Sequence, residues 1–263
     1  MTGFEASPQI SLQDLHLETA RALVGRDQLP EQDPGDTAHY LQALIDGLCE
    51  LSLKDPLTGL GNRRQLFSLI DGELDRVARS GEAALLLMLD IDHFKHINDA
   101  HGHGAGDLVL QAVAKVLSDS VRPMDSLVRF GGEEFAIILP ACHAAFGKSV
   151  AERVRRAVES VRVRISPVQE LQVTVSIGGA FALQWIRSTR QLWLERADQQ
   201  LYRSKSGGRN CVHIEEQPDS TVSAEEKSLL FAPLNAMPST WADSSEGATM
   251  HSAADLPTAG NVN

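Results

Sequence analysis

Arg129-Phe130-Gly131-Gly132-Glu133-Glu134-Phe135 is the stretch that decides how this chain folds. Its two adjacent glycines separate the apolar runs Leu127–Phe130 and Phe135–Leu139. That is the pattern of a β-hairpin with a two-residue turn, because glycine supplies the positive φ that such turns demand. Carboxylates placed on the strand just after the turn gain nothing in stability. The same oddity recurs upstream, where Asp90 and Asp92 end the apolar run Ala83–Leu89. Residues two apart on a strand share a face, so both aspartates are expected to project together at the strand's exit. Acids gathered at strand ends are the oxygen-rich surroundings that Mg²⁺ takes. Substrate phosphates would complete its shell.

Outward from this hairpin the chain alternates. A helix over Arg63–Arg79 carries Leu66, Leu69, Ile70, Leu74 and Val77 along one side. Strand Ala83–Ile91, a helix over Phe94–His101, a glycine-rich turn and a helix over Asp107–Ser120 follow. Beyond the hairpin come a helix over Phe146–Val161 and a strand Leu171–Ala180 that alternates through Val173, Val175 and Ile177. A helix over Arg190–Ser206 and a last strand, Cys211–Ile214, close the series. The class is α+β: a central, mainly antiparallel sheet covered by helices.

Residues 1–53 hold two helical stretches, Leu12–Val24 and Asp36–Ser52, broken by Pro30 and Pro34. In the second, Tyr40, Leu41, Leu44, Leu48 and Leu51 recur at helical spacing. This stripe either packs on the domain or pairs with a copy of itself. The segment 216–263 is acidic and, from Gln217, rich in Ser, Ala, Pro and Thr. It is expected to be disordered, with Leu229-Leu230-Phe231 and Trp241 as its apolar islands.

The net charge of −11 over 263 residues is uneven. Residues 1–53 carry −7 and 216–263 carry −6, while 54–215 carry +2. The middle can therefore accept a polyanionic nucleotide, and no basic stripe of a nucleic-acid binder is present. No apolar run is long enough to span a bilayer, and the N-terminus lacks a signal-peptide pattern. Cys49, Cys142 and Cys211, without metal-ligand spacing, suit a reducing cytoplasm.

At Gly131–Phe135 the chain resembles the GGDEF domains, the diguanylate cyclases, in their Glu-for-Asp variant. The resemblance extends over Asp55-Pro56-Leu57-Thr58-Gly59-Leu60-Gly61-Asn62-Arg63-Arg64 and Asp90-Ile91-Asp92-His93-Phe94-Lys95. It continues through Asn98-Asp99, Gly102-His103, Gly106-Asp107, Tyr202-Arg203-Ser204-Lys205 and Gly208-Arg209-Asn210. These segments occur in the family's order and spacing, across 54–215. The resemblance implies a fold like the palm of class III nucleotidyl cyclases.

It also implies that Asp90, Glu133 and the backbone carbonyl of Ile91 bind Mg²⁺, with Mn²⁺ as the alternative, and that Glu133 assists deprotonation. Family variants imply that Glu134 helps the site, yet alternation places it on the opposite face; Asp92 either shares the site or pairs structurally. The chain from His93 through Phe94 to Lys95 opens a helix whose free N–H groups suit a phosphate, and Lys95 adds charge. Family residues matching Lys205 and Arg209 hold phosphates; otherwise the two are cationic caps of a helix C-terminus. The family's base-reading residues match Asn98 and Asp107, with His103 lining the nucleotide. Asp107 could also be an ordinary helix N-cap, and both roles can hold at once. An Asp there favours strict GTP use. Arg122 and Asp125, an Arg-x-x-Asp beginning nine residues before Gly131, match an inhibitory product site.

The expected activity is the condensation of two GTP into cyclic di-GMP and two pyrophosphates, at the interface of a homodimer. The alternative is a catalytically inactive receptor that binds cyclic di-GMP or GTP.

Overall fold

The computed structural model describes residues 15–25, 27, 29–31, 36–182 and 188–216. In chain order the elements are α1 (Glu18–Val24), α2 (Thr37–Leu53), α3 (Arg63–Ser80), β1 (Ala84–Ile91), α4 (Phe94–His101), α5 (His103–Ser120) and β2 (Ser126–Gly131). Then follow β3 (Glu134–Leu139), α6 (Ala144–Ser160), β4 (Val163–Ser166), β5 (Gln169–Leu171), β6 (Val175–Ala182), α7 (Arg190–Ser206) and β7 (Val212–Ile214).

β1 is the spine, and every one of its residues is buried. A strand covered on both faces reads as a continuous apolar run, which is why residues 84–89 contain no polar side chain. It lies at the centre of a five-stranded sheet ordered β2-β3-β1-β6-β7. The pairings are antiparallel except β6 with β7, so the mainly antiparallel sheet expected from sequence is present.

Alternate residues of β1 feed two cores. Leu85, Leu87, Leu89 and Ile91 pack with Phe135 and Ile137 against Val109 and Val113 of α5 and Val150 and Val154 of α6. Ala84, Leu86 and Met88 pack against Leu66 and Ile70 of α3 and Trp193, Ala197 and Leu201 of α7. Each large apolar side chain so buried contributes about 1.5–3 kcal/mol. The sheet is thus a filling between two helical layers.

α7 is seated on β6 backbone to backbone. A Cβ added at Gly178 would lie 1.9 Å from Leu201 N and 2.5 Å from Ala197 O. Trp193 Nε1 donates to Ala180 O at 2.8 Å, and Ser204 Oγ donates to Ile177 O at 2.7 Å. These contacts fix the end of α7 that carries Lys205.

Several expectations are corrected. The hairpin turn is Gly132-Glu133, not Gly131-Gly132: Gly131 pairs with Glu134, and only Gly132 has positive φ, 47°. The cause is a bulge between Arg129 and Gly131, which adds one residue to β2 and shifts the turn by one. The long helix begins at His103 rather than Asp107, because Gly102 (φ 81°) ends α4 and already serves as the N-cap of α5. The strand expected over 171–180 is two strands: β5 closes a small hairpin with β4 through Pro167 and Val168, and β6 starts at Val175. The first helix covers Glu18–Val24, with residues 15–17 outside it and 12–14 outside the described residues.

In α2, Tyr40 and Leu44 are buried, and Arg21 of α1 stacks over Tyr40 at 5.4 Å. Ile45 and Leu51 remain exposed. The acidic tail, with Leu229-Leu230-Phe231 and Trp241, lies from residue 217 onward outside the described residues. No helix among the described residues is long and apolar enough to cross a membrane.

Candidate active site

The shifted turn rearranges the acids at the sheet's edge. Asp90 of β1 stands directly opposite Glu134 of β3 in the register, so the two share a face. Sequence alternation had set Glu133 on the strand and Glu134 on the other side; because Glu133 lies in the turn, it is Glu134 that faces Asp90. Glu133 occupies the turn, and its carbonyl accepts the Ile91 N–H at 3.3 Å. Ile91 points its side chain into the core and leaves only its backbone at the strand end.

Lys205 of α7 reaches the pair, with Nζ 2.7 Å from Asp90 Oδ2. Burial raises the Asp90 pKa, and the Lys205 ammonium offsets only part of that; the charges of Glu133 and Asp92 raise it further. Burial and then the Asp90 charge raise the Glu134 pKa. Two carboxylates held this way are short of positive charge.

Among the described residues, no three His, Cys, Asp or Glu side chains converge closely enough to hold a metal ion on their own. The donors are nevertheless all hard oxygens: Asp90 and Glu134 side by side, with Glu133 and the Ile91 backbone next to them. Such a set fits an ion like Mg²⁺, which keeps several positions for water and phosphate.

The turn is fixed from behind by Arg129. Its Nε and Nη2 donate to Gly132 O at 3.0 and 2.8 Å, and its Nη1 lies 3.1 Å from both oxygens of Asp55. Burial pushes the Asp55 carboxyl up, but hydrogen bonds from Thr58 and Arg129 outweigh it and hold the pKa below 3.8. A carboxylate depressed on folding stabilises the native state above its unfolded pKa, and that stability disappears as pH falls through the folded value. Asp55→Asn should therefore cost about 1 kcal/mol at neutral pH and flatten the stability–pH curve below pH 4, in urea titrations run at stepped pH. An unchanged slope would show that Asp55 does not titrate with folding.

Asp92 does not join the cation set. It is buried and accepts from Thr174 Oγ1 at 2.7 Å, Ser176 Oγ at 2.6 Å and Asn210 N–H at 3.0 Å. Its role is structural.

His93 caps α4 with left-handed backbone (φ 57°) and no side-chain bond. The N–H groups of Phe94 and Lys95 precede the first intrahelical bond, His96 N–H to His93 O. Phe94 buries its ring, so only its backbone faces the helix mouth, whereas Lys95 is exposed. Asn98 packs against Gly106: a Cβ there would lie 2.0 Å from Asn98 Oδ1. His103 and Asp107 are exposed one turn apart on α5, so Asp107 lies inside the helix and is not its cap.

Arg209 lies beyond the end of α7 with φ 63°, so it is not a last-turn cap. Arg122 and Asp125 close a turn at the start of β2. The Arg122 N–H donates to Asp125 Oδ2 at 2.8 Å, and the guanidinium stacks over Phe146 at 4.3 Å.

Comparison with known proteins agrees with this fold. The family model "Diguanylate cyclase, GGDEF domain" matches residues 52–211. The chain is 39% identical over 194 residues to the diguanylate cyclase DgcP of Pseudomonas aeruginosa, covering 74% of this chain and 28% of that protein. It is 40% identical over 174 residues to the response regulator PleD of Caulobacter vibrioides, covering 66% and 38%. The chain thus matches less than half the length of either relative. Its fold is similar to a crystal structure of the coiled coil and GGDEF domain of DgcB from Caulobacter crescentus in complex with c-di-GMP. The TM-score is 0.63 and the identity 34%, covering 66% of this chain and 92% of that one. From Asp55 behind the signature turn to Asn210 beyond α7, what the sheet assembles is a GGDEF domain, and this chain belongs to that family.

Proposed function

We propose that this chain is a diguanylate cyclase, condensing two GTP into cyclic di-GMP with release of two pyrophosphates. The observation that carries the reading is the intact acid set, Asp90 opposite Glu134 with Glu133 in the adjoining turn, beside Lys205. A receptor for cyclic di-GMP alone has no use for buried carboxylates whose ionisation burial opposes. Residues 54–215 form the catalytic unit, 1–53 a helical segment that dimerises or regulates it, and 216–263 an acidic tail.

Asp90, Glu133 and the Ile91 carbonyl hold Mg²⁺, or Mn²⁺ in its place, and Glu134 completes the acid face. The bound ion supplies the charge that acidifies the 3′-hydroxyl and neutralises the pyrophosphate leaving group. Glu133 takes the hydroxyl proton. The N–H groups of Phe94 and Lys95, with the Lys95, Lys205 and Arg209 side chains, orient the phosphates. Asn98 and Asp107 read guanine, with His103 alongside. Each subunit holds one GTP, so two must face each other to align each 3′-hydroxyl with the other's α-phosphate.

Incubating the purified chain with GTP and Mg²⁺ and identifying the product by mass tests the reading. Cyclic di-GMP supports it; bound but unconverted GTP would assign the receptor role instead. Base choice gives a second measurement. Asp107→Ser removes the acceptor for guanine's N1–H and amino group, at a cost of about 1–3 kcal/mol, and preference for GTP over ATP should fall about fivefold or more in a competition assay.

The c-di-GMP-bound relative supports product binding to this chain as well. The Arg122 fork suits phosphate or the Hoogsteen edge of guanine. Arg122→Ala should therefore raise the final yield of cyclic di-GMP without changing the initial rate. Progress curves that added product does not slow would remove the regulatory role.

A further inference from the structure

Three successive residues beyond α7, Gly208, Arg209 and Asn210, have positive φ of 112°, 63° and 45°. Left-handed backbone is unfavourable for residues with a Cβ, so two in succession persist only where surrounding contacts hold them. Those contacts converge on Asn210. Its N–H donates to Asp92 Oδ2 at 3.0 Å, which ties the loop to the residue immediately after Ile91. Its Nδ2 donates to Glu159 Oε1 at 2.7 Å, and its Oδ1 accepts from Arg155 Nη1 at 2.7 Å. Arg155 also donates to Glu159 Oε2 at 2.9 Å, so the amide sits in a closed ring of charge-assisted bonds built by α6. None of the α6 residues belongs to the acid set or to the groups assigned to the nucleotide.

We propose that Asn210, clasped by Arg155 and Glu159, is a positioning residue that sets the phosphate grip of Lys205 and Arg209 against the strand end carrying Asp90. The proposal rests on the nucleotide assignment above and adds a determinant to it. Asn210 is bonded at its backbone to the acid-bearing strand and at its side chain to α6, so it fixes the loop between them. Once released, Arg209 and Asn210 relax to ordinary negative φ, and the Arg209 side chain turns away from Lys205. Binding of the phosphates suffers; recognition of the base, on α4 and α5, does not.

Calorimetry on the 263-residue chain, comparing GTP with GMP, tests this. Wild type should bind GTP far more tightly than GMP. Asn210→Gly keeps the left-handed backbone accessible and the N–H bond to Asp92 but removes the clasped amide, and should lower the GTP/GMP affinity ratio about tenfold, with GMP affinity unchanged. Arg155→Met should lower the ratio in the same way without touching the loop, whereas Glu159→Gln, which keeps an acceptor for Asn210 Nδ2, should retain most of the wild-type ratio. A fall in thermal midpoint with the ratio intact in both Asn210→Gly and Arg155→Met would reduce the ring to a structural brace and overturn the proposal. Wild-type protein that binds neither nucleotide would overturn the nucleotide assignment itself, and the positioning role with it.

Discussion

Asp90→Asn is expected to abolish cyclic di-GMP synthesis while leaving the protein at least as stable as before. The loss of activity follows from the ion's charge requirement. An amide keeps the shape of the carboxylate but not its charge, and a bound cation supplies several kcal/mol of transition-state stabilisation. At about 1.4 kcal/mol per tenfold, that is a rate reduction of about 10³ or more. The stability expectation follows from the pKa direction. Asp90 is raised on folding, mainly by burial. A group of that kind stabilises the fold only below its unfolded pKa and opposes it once ionised at neutral pH. Neutral Asn removes this opposition and the repulsion with Glu134, while Lys205, at 34% side-chain exposure, can turn to solvent. Turnover by product chromatography and thermal midpoint by circular dichroism should thus move independently. A large fall in the midpoint would mean that the Lys205 ion pair, not cation binding, is what Asp90 is kept for.

The largest effect on folding is expected from Gly178→Ala. The added methyl would lie 1.9 Å from Leu201 N, inside the backbone of α7, and no rotamer change relieves that overlap. α7 must lift off β6, disturbing the bonds from Trp193 to Ala180 and from Ser204 to Ile177. A loss exceeding about 3 kcal/mol in urea unfolding follows, with Lys205 carried away from Asp90. Gly72→Ala is the control. It lies inside α3 with nothing within 4 Å of an added Cβ, and should raise stability by about 0.5–1 kcal/mol. Equal effects at the two positions would show that α7 is not seated on the Gly178 backbone.

The features legible in sequence were those with local or periodic signals. β1 shows as an apolar run, α3 through its 3.6-residue stripe, and α7 within the bounds expected for it. The acids at the strand ends were visible because carboxylates there serve no packing purpose. Glu134 was misplaced because alternation within one strand says nothing of where the turn ends or which residue of the neighbouring strand lies opposite; Glu133 fell in the turn and Glu134 came opposite Asp90. Asp107 read equally well as an N-cap, since Gly102 and Gly104 resembled a turn; the positive φ of Gly102 let α5 start early. The Asn210 clasp had no sequence signal, because its partners Arg155, Glu159 and Asp92 lie 55, 51 and 118 residues away.

Those separations also order events in time. The central strand pairs with β6, whose residues are made long after it, and the bond from Asn210 to Asp92 spans 118 residues. Pairings so distant in sequence slow folding, because a large loop must close before any contact offsets its entropy. During synthesis the chain therefore carries Asp90 and Glu134 well before the ammonium that lies between α7 and β1 has been made. The acids spend that interval without their counter-charge, and the ion pair forms only once the final turn of α7 has docked.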